Sequence, residues 1–283
     1  MKSQYINFNG KILPSDQATL TIANRSFRYG DGLFESMRWM KGELKFADLH
    51  ADRIRRGMKV LKLDNYSQVD TYFLRENVAE LIRRNKTGAN ARVRLSVFRD
   101  SDGLYSPTSN KFGYALEVVK ISETSYTTNN KGLIVDLYDE IPKPINKLSN
   151  LKTSNALVYV LAGVFKNQNS LDEVLIINQN GFLCEAMSSN VFVVFNKEIY
   201  TPALTEGCIA GVMRHVIMKI AKENNLNIIE AQINPAILEQ ADEVFLTNAS
   251  KGLQWVMGYN SKRYFNEVSR LLLSKLNSLG VGE

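Results

Sequence analysis

The chain has 283 residues, enough for one large domain or two modest ones with well-buried cores. Its composition, 45% hydrophobic and 23% charged, is typical of a globular protein, and no apolar run approaches the roughly 20 residues of a membrane span. The formal charge of +6 comes from basic residues spread along the chain, so it does not require a nucleic-acid partner.

Cysteine content and the N-terminal residues bear on location. Cys184 and Cys208 are too few for a disulfide framework, and both are expected to stay reduced. The first residues lack the apolar core of a secretory signal. We therefore expect a cytoplasmic protein without a membrane anchor.

The first half of the sequence predicts short strands and two helices. Asn9-Gly10 is a type I′ turn signal, and it predicts a hairpin between Tyr5–Phe8 and Lys11–Leu13. The other predicted elements are a helix that Asp48 caps and that ends near Leu63, a helix that Ser67 opens and that ends near Gly88, and strands at Ala91–Phe98 and Gly113–Lys120.

The second half mixes strands and helices without a regular βαβ alternation. Its predicted strands are Leu133–Tyr138, Val174–Ile177, Phe182–Cys184, Val191–Phe195, Ile199–Thr201, Glu243–Leu246 and Leu253–Met257. Its predicted helices run from about Asn155 to Phe165, from just after Gly211, from Asn234-Pro235, and over Phe265–Leu279. This order favours an α+β fold with two domains, residues 1–119 and 132–283, joined by a polar linker over residues 120–131.

Several common chemistries are excluded by the residues present. His50 and His215 are the only histidines and each stands alone, so we expect no metal site and no serine or cysteine triad; both are expected to be structural or surface histidines. There is no Walker A loop, and Tyr29-Gly30-Asp31-Gly32 lacks the third glycine of a dinucleotide fingerprint.

Three patterns in the second half suggest another chemistry. Lys152 stands where a loop passes into a mostly apolar helix, although most lysines are solvated surface charges. Glu185 lies between two strand-like runs, where by itself it would be a turn carboxylate. The segment Gly207–Arg214 is a glycine-bearing loop that opens a helix, and the unpaired amides at such a start suit a phosphate.

Together with further segments in the same order, these patterns resemble the class IV aminotransferases, the fold type IV pyridoxal-phosphate enzymes. The further segments are Arg25–Glu35, Leu49–Ile54 and Asp242–Ala249. The family includes branched-chain and D-amino-acid aminotransferases and 4-amino-4-deoxychorismate lyases. The resemblance implies a two-domain, D-amino-acid aminotransferase-like fold, pyridoxal 5′-phosphate in the interdomain cleft, and a homodimer.

The resemblance also implies roles for individual residues. Lys152 would form the Schiff base and shuttle a proton, and Glu185 would face the pyridine nitrogen. The implied phosphate-binding residues are Arg53, Gly211, Val212, Met213, Thr247, Asn248, Ala249 and Ser250. Ser188 would support the ring or the phosphate.

The substrate side of the site rests on three residues. Tyr29 and Phe34 match the aromatic wall of the family, and Arg94 matches a strand position that can meet a carboxylate; Arg94 could equally face solvent. Ala249 and Leu157 depart from the branched-chain pattern, in which a threonine and a tyrosine touch the cofactor. These departures favour the D-amino-acid and lyase branches.

Three functions follow from these residues. The favoured one is a transaminase that moves an amino group between an amino acid and a 2-oxo acid. The alternative is an aminodeoxychorismate lyase that releases pyruvate and 4-aminobenzoate. A basic binding protein on an old enzyme fold is the third, and the presence of both Lys152 and Glu185 argues against it.

Overall fold

The computed structural model describes residues 4–18 and 20–279, which form two compact units. Among these residues, the first unit comprises residues 4–125 and 151–156, and the second comprises 126–150 and 157–279. The six-residue segment that carries Lys152 therefore folds with the first unit, although the chain on both sides of it belongs to the second.

The first unit is an antiparallel sheet with helices packed against it. Its elements are β1 (Tyr5–Phe8), β2 (Lys11–Pro14), α1 (Arg25–Tyr29), β3 (Gly32–Met40), β4 (Glu43–Leu44), α2 (Ala47–Val60), α3 (Thr71–Asn85), β5 (Asn90–Arg99) and β6 (Phe112–Lys120). The six strands lie in the order β2-β1-β6-β5-β3-β4. Apolar side chains of β3, β5, β6, α2 and α3 form one core, with Met37, Leu95 and Val78 fully buried.

Most predicted elements of this unit are confirmed, and two helix starts were wrong. The hairpin turns at Asn9 and Gly10, whose φ angles of 51° and 85° fit a type I′ turn. Helix α2 begins one residue before Asp48, which therefore does not cap it. Helix α3 begins after Asp70, whose carboxylate accepts a hydrogen bond from the Phe73 amide at 2.7 Å. With this cap available downstream, the predicted start at Ser67 is only a 3-10 turn.

The segment of Lys152 is attached to β3 by backbone hydrogen bonds. The Phe34 amide donates to the Lys152 carbonyl and the Ser154 amide to the Gly32 carbonyl, both at 2.9 Å, and Leu33 and Thr153 form an antiparallel bridge. A Cβ atom at Gly32 would lie 2.6 Å from the Val97 carbonyl and 3.1 Å from the Ser154 hydroxyl. Glycine at position 32 thus leaves room for the β5 backbone on one side and for the lysine segment on the other.

The second unit contains a nine-stranded mixed sheet. Its elements are β7 (Leu133–Lys143), α4 (Leu157–Gln168), β8 (Glu173–Asn178), β9 (Leu183–Ala186), β10 (Asn190–Phe195), β11 (Glu198–Pro202), α5 (Val212–Glu223), β12 (Ile228–Ala231), β13 (Glu243–Asn248), β14 (Gly252–Tyr259), β15 (Lys262–Arg263) and α6 (Glu267–Ser278). The strand order is β12-β11-β10-β13-β14-β7-β8-β9, with β15 on β14. The pairs β11–β12, β14–β7 and β7–β8 are parallel.

Three predictions for this unit need correction. Strand β7 continues through Pro142 to Lys143, beyond the predicted end at Tyr138. Glu185 lies within β9, opposite Ile176, and not in a turn between strands, because its carboxylate has buried partners described below. The helix predicted after Asn234 is a single 3-10 helix, Pro235–Glu239. Along residues 4–18 and 20–279, every helix is too short or too polar to cross a membrane.

We expect Gly32→Ala to destabilise the protein by about 1–3 kcal/mol, because the added methyl group would overlap the Val97 carbonyl of β5 and crowd the Ser154 hydroxyl of the lysine segment. Urea denaturation of the variant and the wild type measures the difference. Gly42→Asn is the matched control, since Gly42 is a turn glycine with no atom near its Cβ position and asparagine tolerates its positive φ. Wild-type stability of Gly32→Ala would contradict the tight packing described here.

Candidate active site

In the first unit, Phe34 contacts two of the predicted site residues. The Lys152 ammonium lies 4.5 Å from the centre of the Phe34 ring, and the Arg94 guanidinium carbon lies 4.1 Å from the same centre. An aromatic face attracts both cations electrostatically. Arg94 is still solvent-exposed. The structure thus brings together an amine, an aromatic wall and an exposed arginine.

Tyr29, the third residue predicted for the substrate pocket, lies beside the loop that follows β5. Its ring centre is 5.4 Å from that of Tyr105, which is almost fully exposed. Arg25 fixes this loop by donating hydrogen bonds to the carbonyls of Gly103 and Leu104. The Tyr29 ring therefore packs against the exposed tip of this loop.

Arg53 lies in a buried network with Glu35, to which sequence reasoning gave no role, and with His50, which was expected to be a structural or surface histidine. The Arg53 Nε donates to Glu35 Oε1 at 2.7 Å, and its Nη2 pairs with Oε2. His50 Nδ1 lies 2.7 Å from the same Oε2, and both Glu35 and His50 are inaccessible to solvent. The sequence signal for this network was the buried face of α2, on which His50 and Arg53 are one turn apart.

The network sets the protonation of its members. Burial alone would raise the pKa of Glu35, but Arg53 and the His50 hydrogen bond together lower it to about 2. Burial lowers the pKa of His50, against the opposing effect of Glu35. A neutral His50 donates its Nδ1 proton to the Glu35 carboxylate, which holds the Arg53 guanidinium in a fixed orientation.

In the second unit, Glu185 is almost wholly buried, and both of its carboxylate oxygens have partners. Oε1 accepts a hydrogen bond from the Tyr159 hydroxyl at 2.7 Å and pairs with the Lys143 ammonium. Oε2 accepts from the Ile209 amide at 2.9 Å. Leu157 is 70% exposed, so among the residues at the start of α4 it is Tyr159 that reaches Glu185. Sequence reasoning missed both Lys143 and Tyr159.

Helix α5 begins directly after Gly211, as predicted. Gly211 is its N-cap, no side chain caps it, and the first amides of the helix, at Val212 and Met213, have no acceptor within the helix. A Cβ atom at Gly211 would overlap Asn190 Oδ1, so any larger residue there would displace the Asn190 side chain. The Asn190 amide group holds this loop by donating to the Ile209 carbonyl at 2.8 Å.

The turn between β13 and β14 lies at the same end of the sheet, because Asn190 pairs with Thr247 across β10 and β13. Asn248 Oδ1 accepts hydrogen bonds from the amides of Ser250 and Lys251, at 3.1 and 2.8 Å, and shapes the turn. The Thr247 hydroxyl is buried and has no hydrogen-bond partner among the described residues. A buried hydroxyl without a partner calls for a ligand or water.

Two other predicted residues of this region have protein partners. The Ala249 carbonyl accepts a hydrogen bond from the Tyr126 hydroxyl at 3.3 Å. The Ser188 hydroxyl donates to Glu173 at 2.7 Å.

Three features of this region fit a phosphate group. They are the uncapped start of α5, the space beside Gly211 that a Cβ atom would fill, and the unsatisfied Thr247 hydroxyl. Among residues 4–18 and 20–279, no three His, Cys, Asp or Glu side chains are grouped to hold a metal ion.

The pKa of Glu35 predicts an acid-dependent stability. A lowered carboxyl pKa stabilises the fold above about pH 4.5, and this contribution is lost as the pH falls towards 2. Between pH 5 and 2, the free energy of unfolding of the wild type should fall by about 3 kcal/mol more than that of Glu35→Gln. Chemical denaturation across this range measures it. Glu80→Gln, an exposed change on α3, should follow the wild type; identical profiles for all three proteins would refute the prediction.

Comparison with known proteins gives the family. The sequence pattern of the amino-transferase class IV family matches residues 32–257. The chain is 27% identical over 260 residues to a putative branched-chain-amino-acid aminotransferase of Methanocaldococcus jannaschii, covering 87% of this chain and 84% of that protein. It is 28% identical over 248 residues to the aminodeoxychorismate lyase of Bacillus subtilis, covering 86% and 83%.

Longer relatives and solved structures complete the comparison. The chain is 27% identical over 245 residues to branched-chain-amino-acid aminotransferase-like protein 2 of Arabidopsis thaliana, but spans only 42% of its length. The crystal structure of the Escherichia coli branched-chain aminotransferase has the same fold, with a TM-score of 0.85, 21% identity, and coverage of 95% and 92%. The predicted α+β, fold type IV architecture is thereby confirmed. Because the family pattern spans most of the sequence, the chain belongs to the class IV amino-transferase family.

Proposed function

We propose that this chain is a pyridoxal-phosphate-dependent aminotransferase that moves an amino group between an amino acid and a 2-oxo acid. The observation that carries the proposal is the placement of Lys152 and Arg94 on one aromatic ring, that of Phe34. Both substrate types have a carboxylate next to the carbon that bears nitrogen or oxygen. The Arg94 guanidinium would bind the carboxylate, and the Lys152 amine would lie near the carbon beside it.

Pyridoxal phosphate supplies an aldehyde carbon that exchanges amines and a ring that accepts electron density from the substrate. Lys152 would hold the cofactor covalently and, when released, would move the proton. Glu185 would place a carboxylate at the ring nitrogen. The residues that would neutralise the phosphate are Arg53, Gly211, Val212, Met213, Thr247, Asn248, Ala249 and Ser250. Ser188, whose hydroxyl donates to Glu173, would support the ring or the phosphate.

Tyr29, Phe34 and Arg94 would form the substrate side of the site. A second candidate reaction is that of the aminodeoxychorismate lyases. It is supported by the Bacillus subtilis relative. The branched-chain and lyase relatives are similarly distant from this chain, so the reaction has to be decided by the substrate that reacts.

The proposal includes a homodimer. One face of α4 packs on β7 and β8 through residues such as Ala162 and Phe165. The opposite face is apolar and exposed, at Leu157, Val160, Leu161 and Val164. A helix with apolar side chains on both faces is expected to pack against other protein surfaces on both faces. A second copy of the chain, presenting the same face, would cover it symmetrically.

The cytoplasmic location is also part of the proposal. Cys184 and Cys208 are both buried thiols and do not form a disulfide. Burial raises the pKa of both thiols, that of Cys208 to about 12, so neither is a reactive thiolate. Stable thiols are typical of proteins kept in a reducing compartment.

Spectroscopy tests the reaction. The protein purified with pyridoxal phosphate should be yellow; an amino-acid donor should bleach the band, and a 2-oxo acid should restore it. Lys152→Ala should lose the covalent cofactor, seen as loss of the borohydride-fixed adduct by mass spectrometry, while Lys147→Ala, an exposed lysine, should keep it. A coloured protein that ignores amino acids but releases pyruvate from aminodeoxychorismate would be a lyase. A colourless wild type would overturn the proposal.

The dimer is tested by placing a charge on the exposed face of α4. We expect Val160→Glu to convert the dimer to a monomer, because a carboxylate buried in an apolar interface is unpaired. Light scattering after gel filtration measures the mass. Gln168→Glu, at the exposed end of the same helix, is the control and should remain dimeric. A monomeric wild type, or a dimeric Val160→Glu, would contradict the proposal.

A further inference from the structure

The carboxylate of Glu185 has a buried counter-ion, Lys143, for which the sequence patterns assign no role. Lys143 is the last residue of β7, 42 positions before Glu185 in the chain. Its ammonium pairs with Glu185 Oε1, and the side chains of Lys143 and Glu185 are only 7% and 3% exposed. Lys143 also lies 5.5 Å from the centre of the Tyr159 ring. All three residues belong to the second unit.

A buried ammonium and carboxylate depend strongly on each other. Removing both charges from an interior often costs little, but removing one leaves the other uncompensated and destabilised. Lys143 therefore supplies the counter-charge for the buried Glu185 carboxylate.

The remaining partners of Glu185 are neutral donors. Burial and the neighbouring Glu185 both raise the pKa of Tyr159, so its hydroxyl donates a hydrogen bond and carries no charge. The Ile209 amide supplies the contact to the other oxygen, at 2.9 Å. Lys143 is thus the cation that neutralises this carboxylate, and these contacts together fix the plane of the carboxylate.

We propose that Lys143 is a positioning residue that acts on the cofactor ring through Glu185. This inference rests on the proposed function, in which Glu185 meets the ring nitrogen. With Lys143 present, its ion pair would hold the Glu185 carboxylate in the orientation in which it meets the ring nitrogen. Without Lys143, Glu185 would lose its buried counter-ion and one of the contacts that orient it, and its contact with the ring nitrogen would weaken.

Cofactor affinity tests the proposal without relying on turnover. Apoprotein variants are titrated with pyridoxal phosphate, and the Kd and the position of the visible band are recorded at neutral pH. Lys143→Met should weaken binding about tenfold or more, since it removes one partner of a buried pair. Lys143→Arg should restore most of the affinity. Lys147→Met, which changes an exposed lysine in the loop that follows β7, is the matched control and should bind like the wild type.

A double-mutant cycle separates positioning from general stabilisation. If Lys143 acts through Glu185, Lys143→Met in a Glu185→Gln background should change the Kd no further. Lys143→Gln keeps a hydrogen-bond donor without the charge and serves if Lys143→Met does not fold; it should also weaken binding. Thermal unfolding of each apoprotein records any loss of stability separately.

Two results would overturn the inference. A wild-type Kd for Lys143→Gln or Lys143→Met, with only the apoprotein melting temperature reduced, would make Lys143 a purely structural residue. So would losses of affinity that add in the double variant. In both results the wild type still binds the cofactor, so the proposed function survives. A wild type that binds no pyridoxal phosphate would remove the proposed function and this inference together.

Discussion

The backbone pairing between β3 and the lysine segment is the constraint on which the first unit's site depends. Phe34 contacts this segment twice, through an amide that binds the Lys152 carbonyl and through a ring that lies against its ammonium. One residue therefore fixes both the backbone and the side-chain end of Lys152. A long, flexible lysine side chain loses much conformational entropy when it is held in one position. The double contact to Phe34 restricts Lys152 in advance, so less conformational entropy is lost when Lys152 acts.

Each unit contains a buried glutamate that is paired with a basic residue. In the first, Glu35 binds Arg53 through both oxygens and His50 through one. In the second, Glu185 binds Lys143, with Tyr159 and a backbone amide as further donors. The two glutamates have opposite relations to the proposed ligand. Glu35 orients a cation that would contact the phosphate, whereas Glu185 would contact the ring and is itself oriented by a cation.

The sequence predicts the local elements of this fold well and the long-range pairs poorly. The Asn9-Gly10 hairpin and the start of α5 after Gly211 follow from backbone preferences of a few adjacent residues. Strand β3 was not predicted as an element because buried residues occur on both of its faces, which removes the alternating pattern. Lys143 and Glu185 are 42 residues apart, and no local pattern marks a lysine as the partner of a distant acid. Lys152 and Glu185 were identified through the family resemblance, since each alone has an ordinary surface or turn explanation.

The chain path has a consequence for how this protein can be divided. Residues 151–156 belong to the first unit but are inserted between two stretches of the second, so the chain passes from one unit to the other three times within residues 4–279. A cut near residue 125 would leave an N-terminal fragment without the segment that covers Gly32 and Phe34, and an unpaired strand edge would be exposed there. The two units are therefore not modules that recombination could exchange at one junction. Native pairing in the first unit has to await synthesis of residues well beyond its own sheet, which couples its folding to that of the second.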